Sequence, residues 1–145
     1  MKKIGLASDH AGYALKEHVK KYLSAHHIEF IDFGTHSEAS CDYPDYGHAL
    51  GQAIDNGDLS TGIAICGSGE GISMTLNKHQ HVRAALCWQA EIAHLSRQHN
   101  DANVLVMPGR FLSENEADAI MDEFLSTPFE GGRHIRRIEK IPCQA

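Results

Sequence analysis

Residues 62–73 read GIAICGSGEGIS, and this stretch decides the fold. The apolar run at 62–66 predicts a short buried strand, and the glycine-rich loop after it opens a helix. The loop follows the pattern G-x-G-x-G, which differs from the G-x-G-x-x-G of dinucleotide sites and lacks the Gly-Lys-Ser/Thr of a P-loop. The stretch therefore predicts a strand–loop–helix unit, the building block of an α/β domain.

Similar units follow one another along the chain. Apolar runs predict five strands, at 4–8, 28–33, 62–66, 82–87 and 103–107. Amphipathic stretches predict helices after them, including 46–55, 89–98 and a periodic apolar face over 117–125. Repeated strand–helix units imply a parallel sheet covered on both faces. We therefore predict one domain over 1–145, a three-layer, Rossmann-like α/β domain with a five-stranded parallel sheet.

The composition excludes several classes of protein. Thirteen Lys and Arg stand against nineteen Asp and Glu, a formal net charge of −6, whereas a general nucleic-acid binder needs a surplus of cations. The four cysteines form no C-x-x-C pair, and the histidines show no metal-ligand spacing, so no metal site is expected. The apolar run from Ile4 is too short for a signal peptide or membrane span. Free thiols suit a reducing cytoplasm, which is the expected location.

Reactive side chains collect where the predicted strands end. In parallel sheets, ligands bind beyond the carboxyl ends of the strands, and here those ends carry Asp9, His10, Cys66 and Arg110. Asp9 and His10 would share a cleft with Cys66 if the first and third strands are neighbours. The loop after Cys66 offers backbone N–H groups to an anion or oxyanion, with a glycine-rich turn that binds no ligand as the alternative. Thiols near helix N-termini ionise more readily, so Cys66 is a candidate base or nucleophile, with an inert buried cysteine as the alternative.

Two further groups could bind or react with a substrate. His99 and Asn100 end the fourth helix, where a histidine can also serve merely as a helix C-terminal cap. If the chain is helical from Arg133, then Arg133 and Arg137 project from one face, one turn apart. Two guanidinium groups at that spacing suit a phosphate monoester, and a solvated charged helix is the alternative.

Six motifs in order carry a family resemblance: SDHAG at 8–12, DYP at 42–44, ICGSGEGIS at 65–73, NK at 77–78, LSRQHNDAN at 95–103 and EGGRH at 130–134. Together they closely resemble the ribose-5-phosphate isomerase B family, within the superfamily that includes the galactose-6-phosphate isomerase subunits. The match runs from about Lys3 to Ile138. The resemblance implies a Rossmann-like domain that forms homodimers or homotetramers, with a C-terminal helix used in dimerisation and each active site built from two subunits.

The resemblance also implies an activity and residue roles. The activity is interconversion of ribose 5-phosphate and ribulose 5-phosphate through an enediolate, in the pentose phosphate pathway, without a metal or organic cofactor. Cys66 matches the base that moves the proton between C1 and C2, and His99 matches the acid that helps open the furanose ring. The anion hole over the enediolate matches Gly67, Ser68, Gly69, Glu70 and Gly71, with Ser68 where many members have Thr. The sugar contacts match Asp9, His10, Tyr43 and Asn100, and the phosphate contacts match Arg110, Arg133 and Arg137, with help from His10.

The sequence is compatible with several alternatives. Glu70 is charged where some family members have an apolar residue, and its direction, toward substrate or solvent, is undetermined. The substrate could instead be allose 6-phosphate, galactose 6-phosphate or an unphosphorylated aldose, depending on the loop at 34–44 and the partner subunit. The presence of both Cys66 and His99 favours a homo-oligomer over a two-subunit enzyme. A non-catalytic nucleotide-binding module explains the glycine loop but not Cys66, His99 and the arginines together.

Overall fold

Five strands and six helices alternate along residues 3–143, which the computed structural model describes. They are β1 Ile4–Ser8, α1 Tyr13–Ala25, β2 Phe30–Asp32, α2 Tyr43–Asp55, β3 Thr61–Cys66, α3 Glu70–Leu76, β4 Ala84–Leu86, α4 Ala90–Asn100, β5 Val104–Pro108, α5 Glu114–Ser126 and α6 Arg133–Glu139. The five predicted strands and the helix from Arg133 are confirmed. Because the expected domain runs over 1–145, its first two and last two residues lie outside the described part.

Several boundaries differ from the prediction. The strands at 28–33 and 82–87 are shorter than expected, since each contributes only three residues that pair with the neighbouring strand. Helix α2 begins at Tyr43, three residues before the predicted start at 46. Pro44 is compatible with this earlier start because a proline in the first helical turn removes no hydrogen bond from the helix.

The sheet is parallel throughout, with the strand order β2-β1-β3-β5-β4. The three central strands are almost wholly buried, whereas the short edge strands β2 and β4 are partly exposed. Ser8 pairs with Ile65 and Cys66 pairs with Pro108, so β1, β3 and β5 end at the same edge of the sheet. We call this the carboxyl edge, and the opposite one, where the strands begin, the amino edge.

Helices cover both faces of the sheet, which confirms the three-layer prediction. Along β3, Ile63 and Ile65 pack with α1, α4 and α5, whereas Ala64 and Cys66 pack with α2 and α3. This alternation is the two-residue period of a strand buried on both sides. None of the helices in residues 3–143 has both the length and the apolar character needed to cross a membrane.

A buried ion pair fixes the turn after β2. Lys16 on α1 is 1% exposed, and its Nζ atom lies 2.6 Å from Oδ2 of Asp32. The other carboxylate oxygen of Asp32 accepts the Gly34 N–H, and the backbone of Gly34 and Thr35 pairs with Ser8. Burial acts to raise the pKa of Asp32, but the hydrogen bonds from Lys16 and from the Gly34 N–H outweigh it and hold the pKa below its usual value. The ion pair therefore supports the end of β1 at the carboxyl edge.

Candidate active site

A cleft of about 540 Å³ opens at the carboxyl edge of the sheet. Its lining includes eight of the residues expected at the site: Asp9, His10, Tyr43, Cys66, Gly67, Ser68, Gly71 and Arg110. Ala11 and Phe111 complete it. We call it the strand-end pocket. Because β1 and β3 are neighbours, the expectation that Asp9 and His10 share a cleft with Cys66 is confirmed.

Cys66 is the last residue of β3 and is only 4% exposed. Its carbonyl oxygen accepts the Gly109 N–H, and the Arg110 N–H donates to the carbonyl of Gly67. The pairing of β3 with β5 therefore continues past the sheet and holds both the thiol and Arg110 beside the pocket. Cys87 differs from Cys66 in position, since it does not line the pocket. Burial raises the pKa of the Cys87 thiol to about 11, so that thiol is protonated at neutral pH.

The loop after Cys66 needs glycine for two different reasons. Gly69 has a φ of +78°, which disfavours any residue with a side chain, and a Cβ atom there would meet Leu86 Cδ1 at 2.5 Å. A Cβ atom at Gly71 would meet the ring of Tyr43. The hydroxyl of Ser68 accepts the Glu70 N–H at 3.2 Å, so its own O–H remains available to a ligand. Glu70 is exposed in the single chain and is not among the residues that line the pocket.

Asp9 and His10 are fixed by backbone groups. The carboxylate of Asp9, which is buried, accepts the Gly12 N–H at 3.0 Å. Nδ1 of His10 accepts the Cys41 N–H at 3.2 Å, so in the neutral ring the proton is on Nε2. The Cys41 Sγ atom is 3.9 Å from the same nitrogen. The sequence did not reveal this contact, because nothing in the neighbourhood of Cys41 along the chain indicates contact with a residue 31 positions away.

The remaining expected residues lie elsewhere in the chain. His99 and Asn100 are the last residues of α4, which ends just before β5 begins at Val104, and they are therefore at the amino edge. Cys66 is at the carboxyl edge, and the five residues of β5 between the two edges span roughly 15 Å. Helix α6 packs beside the end of α4, where the rings of His99 and His134 stack with centroids 4.6 Å apart. Within one chain, His99 does not reach the strand-end pocket.

The arginines of the candidate site form no ion pairs with carboxylates of residues 3–143. Arg133 and Arg137 are exposed and one turn apart on α6, as the spacing predicted. Within residues 3–143, no carboxylate forms an ion pair with Arg110, Arg133 or Arg137, whereas Arg83 and Arg97 both pair with Asp101. We call His99, Asn100, Arg133 and Arg137 the amino-edge group. The candidate site thus consists of two groups of residues at opposite edges of one chain.

Comparison with known proteins supports the resemblance that the six motifs carry. A family model described as ribose/galactose isomerase matches residues 4–141. Ribose-5-phosphate isomerase B of Escherichia coli K12 is 43% identical over 141 residues, which cover 97% of this chain and 95% of that protein. The probable ribose-5-phosphate isomerase B of Mycoplasma pneumoniae is 45% identical over 139 residues, covering 95% of this chain and 91% of that protein.

Solved structures have the same fold. A ribose 5-phosphate isomerase from Thermotoga maritima superposes with a TM-score of 0.95 at 51% identity, covering 97% of both chains. Ribose-5-phosphate isomerase B from Mycoplasma genitalium, solved with bound ribulose-5-phosphate, gives a TM-score of 0.91 at 42% identity, covering 96% of this chain and 93% of that one. Since the family model spans nearly all of the described residues and the relatives match almost end to end, the chain belongs to the ribose/galactose isomerase family.

Proposed function

We propose that this protein is an aldose–ketose isomerase that interconverts ribose 5-phosphate and ribulose 5-phosphate through an enediolate. The observation that carries the proposal is the strand-end pocket, in which a thiol, a loop of backbone donors and an unpaired arginine line one cleft. Relatives named ribose-5-phosphate isomerase B, one of them solved with ribulose-5-phosphate, support this choice of substrate.

The proton transfer is assigned to Cys66. Isomerisation removes a proton from one carbon and returns it to its neighbour, so it needs a base within reach of both and donors for the enediolate oxygen. Cys66 is the one thiol among the residues that line the pocket. The N–H groups of the loop from Gly67 to Gly71 and the free O–H of Ser68 are the donors. Glu70 contributes its backbone N–H in this proposal, because its side chain does not line the pocket.

The sugar is held by groups around this centre. Asp9 is an acceptor for sugar hydroxyls, the Nε2–H of His10 is a donor, and the phenol of Tyr43 lies over the loop. Arg110 faces the same cleft and is unpaired, which suits it to the phosphate. These contacts add binding energy that holds C1 and C2 of the sugar near Cys66.

A second copy of the chain completes each site in this proposal. Cys66 and the amino-edge group lie at opposite edges of one sheet, so a single chain does not bring them to one substrate. In a homodimer, the strand-end pocket of one subunit receives His99, Asn100, Arg133 and Arg137 from its partner. His99 then opens the furanose ring, and the two arginines join Arg110 at the phosphate. This assignment gives α6 a role at the dimer interface.

The expected location of the protein is the cytoplasm. The four cysteines are all free thiols, which suits a reducing cytoplasm.

The experiment that tests the function is a coupled assay of the purified protein with ribose 5-phosphate, allose 6-phosphate and galactose 6-phosphate. We expect the highest kcat/KM with ribose 5-phosphate. A higher value with either hexose phosphate would assign the protein to another sugar, and no turnover of any of them would refute the isomerase proposal.

A further inference from the structure

Three potential metal ligands converge at the amino edge: His99, Glu130 and His134. One ligand atom from each lies within 4.8 Å of the other two, and no other group of three or more such residues in 3–143 meets this distance. Oε2 of Glu130 is 3.8 Å from Nε2 of His99 and 3.5 Å from Nε2 of His134. Glu130 and His134 follow His99 by 31 and 35 positions along the chain, so the spacing did not reveal the group.

The backbone brings these residues together in a defined way. The Glu130 N–H donates to the Gln98 carbonyl, which ties Glu130 to the end of α4 beside His99. Gly131 and Gly132 then adopt φ values of +76° and +62°, which turn the chain into α6. The His134 N–H donates to the Gly131 carbonyl and closes this turn. Glu130 and His134 therefore reach the same side of His99 through a glycine turn that other residues would strain.

His134 has an unsatisfied nitrogen. Its residue is 7% exposed, and its Nε2 atom is buried without a hydrogen-bond partner among the described residues. The contact with Glu130 Oε2 at 3.5 Å lacks hydrogen-bond geometry. A buried polar atom without a partner is costly, and in native proteins it often marks a place where an ion or water binds. Here the carboxylate of Glu130 is 3.5 Å from this atom, and a ligand nitrogen of His99 lies within 4.8 Å of it.

We propose that His99, Glu130 and His134 form a Zn²⁺ site, and that bound Zn²⁺ withdraws His99 from the isomerase reaction. Two imidazoles and one carboxylate are a known zinc ligand set, with water in the fourth position. The consequence for catalysis rests on the proposed function, because it requires the ring-opening role of His99. The metal site itself stands on the geometry alone.

To bind the ion, the ring of His99 has to turn out of its stack with His134, because two nearly parallel imidazoles cannot both direct an in-plane lone pair at one ion. Tetrahedral ligands at about 2.0–2.2 Å from Zn²⁺ lie roughly 3.4 Å from one another, and the Glu130 oxygen is already 3.5 Å and 3.8 Å from the two imidazole nitrogens. The side chains of His99 and Glu130 are 40% and 52% exposed and can rotate, whereas His134 is held in place. Arg133, the residue before His134, opposes a dication, so we expect affinity in the micromolar range.

Calorimetric titration of the EDTA-treated protein with ZnCl₂ tests the site. We expect one Zn²⁺ per chain, and an affinity more than about tenfold weaker in Glu130→Gln, which removes one exposed ligand. His134→Asn is a second variant, which removes the buried ligand. His94→Asn is the matched control, since His94 is on the same helix, is also 40% exposed and pairs with a carboxylate, Glu123. Cys66→Ala controls for zinc binding at the thiol.

Activity measurements test the consequence. We expect Zn²⁺ to inhibit the wild-type isomerase reversibly, with EDTA restoring turnover. Inhibition of Glu130→Gln should require about tenfold more Zn²⁺. Unchanged Zn²⁺ affinity in Glu130→Gln, or loss of binding in Cys66→Ala or His94→Asn, would overturn the site. If the metal-free protein isomerises no sugar phosphate, the proposed function fails while calorimetry still decides the metal site. Binding at this site without inhibition would overturn the effect on His99.

Discussion

The ring of Tyr43 lies against the backbone of Gly71, so close that a Cβ atom at position 71 would come within 2.5 Å of the Tyr43 Cζ atom. Tyr43 is the first residue of α2, and Gly71 is the second residue of α3, directly after the loop that follows Cys66. The absence of a side chain at 71 therefore sets where the phenol lies over the pocket. The contact joins the DYP and ICGSGEGIS motifs, which are far apart along the chain.

Gly71→Ala is expected to displace Tyr43 and raise KM for ribose 5-phosphate, while the protein stays folded. No left-handed φ is required at Gly71, so alanine strains the contact and not the backbone. Steady-state kinetics and circular dichroism measure the two effects. The double variant Tyr43→Ala/Gly71→Ala removes the clash, so its KM should equal that of Tyr43→Ala alone. An additional loss in the double variant would show that the glycine acts through something else.

Cys66→Ala is expected to lower kcat by about a hundredfold or more, because a general base contributes that much to proton transfer. Ribose 5-phosphate should still bind, since the phosphate and hydroxyl contacts do not involve the thiol. Kinetics and calorimetric binding measure the two quantities. Cys143→Ala, which changes an exposed thiol, serves as the control and should behave as wild type. Near-normal turnover of Cys66→Ala would exclude Cys66 as the base.

Arg137→Ala should raise KM about tenfold or more, with a smaller change in kcat, because it removes a charge-assisted hydrogen bond to the phosphate. Arg136→Ala is a matched control on the same exposed helix, one position away and on a different face. Its KM should be unchanged. Equal effects of the two substitutions would point to the general charge of α6 and against a specific phosphate contact.

Mixing two inactive variants tests whether subunits share sites. Cys66→Ala and His99→Asn should each be inactive. When equal amounts of the two reassociate at random, a quarter of the shared sites combine an intact Cys66 with an intact His99. The mixture should therefore recover roughly a quarter of the wild-type activity. The assay compares the mixture before and after subunit exchange. If each chain holds a complete site, mixing restores nothing.

Asp32→Asn should destabilise the protein by about 3–5 kcal/mol at neutral pH, because it leaves Lys16 buried without its counter-charge. The pKa of Asp32 is lowered in the folded state, so its stabilising effect is complete above the ordinary Asp pKa and is lost as the pH falls toward the folded value. The difference between wild type and variant should therefore shrink below about pH 4. Urea unfolding at several pH values measures it.

The control for this prediction is Asp118→Asn. Asp118 on α5 pairs with His18 on α1, and its side chain is 38% exposed against 12% for Asp32. Exposed pairs contribute about 0–1 kcal/mol, so this substitution should cost little. A similar loss for both variants would show that burial of Lys16 does not set the cost.

Much of the fold follows from local patterns. Apolar runs and helical periodicity identify the five strands and the helix at Arg133, because burial imposes a two-residue period on strands and a 3.6-residue period on helices. The grouping of Asp9, His10 and Cys66 also follows, since parallel strands place their carboxyl ends at one edge. The ends of the short edge strands are less predictable, because pairing with a neighbouring strand decides them.

Only the tertiary structure decides how distant segments meet. The sequence by itself determined the α/β class, the reactive residues at the strand ends and the pair of arginines on α6, since each depends on neighbours along the chain. It did not reveal that His99 lies at the opposite edge from Cys66, that Cys41 fixes the ring of His10, or that Glu130 and His134 converge on His99. These relationships depend on how segments far apart along the chain pack against one another, and such long-range contacts leave no periodic signal in the sequence.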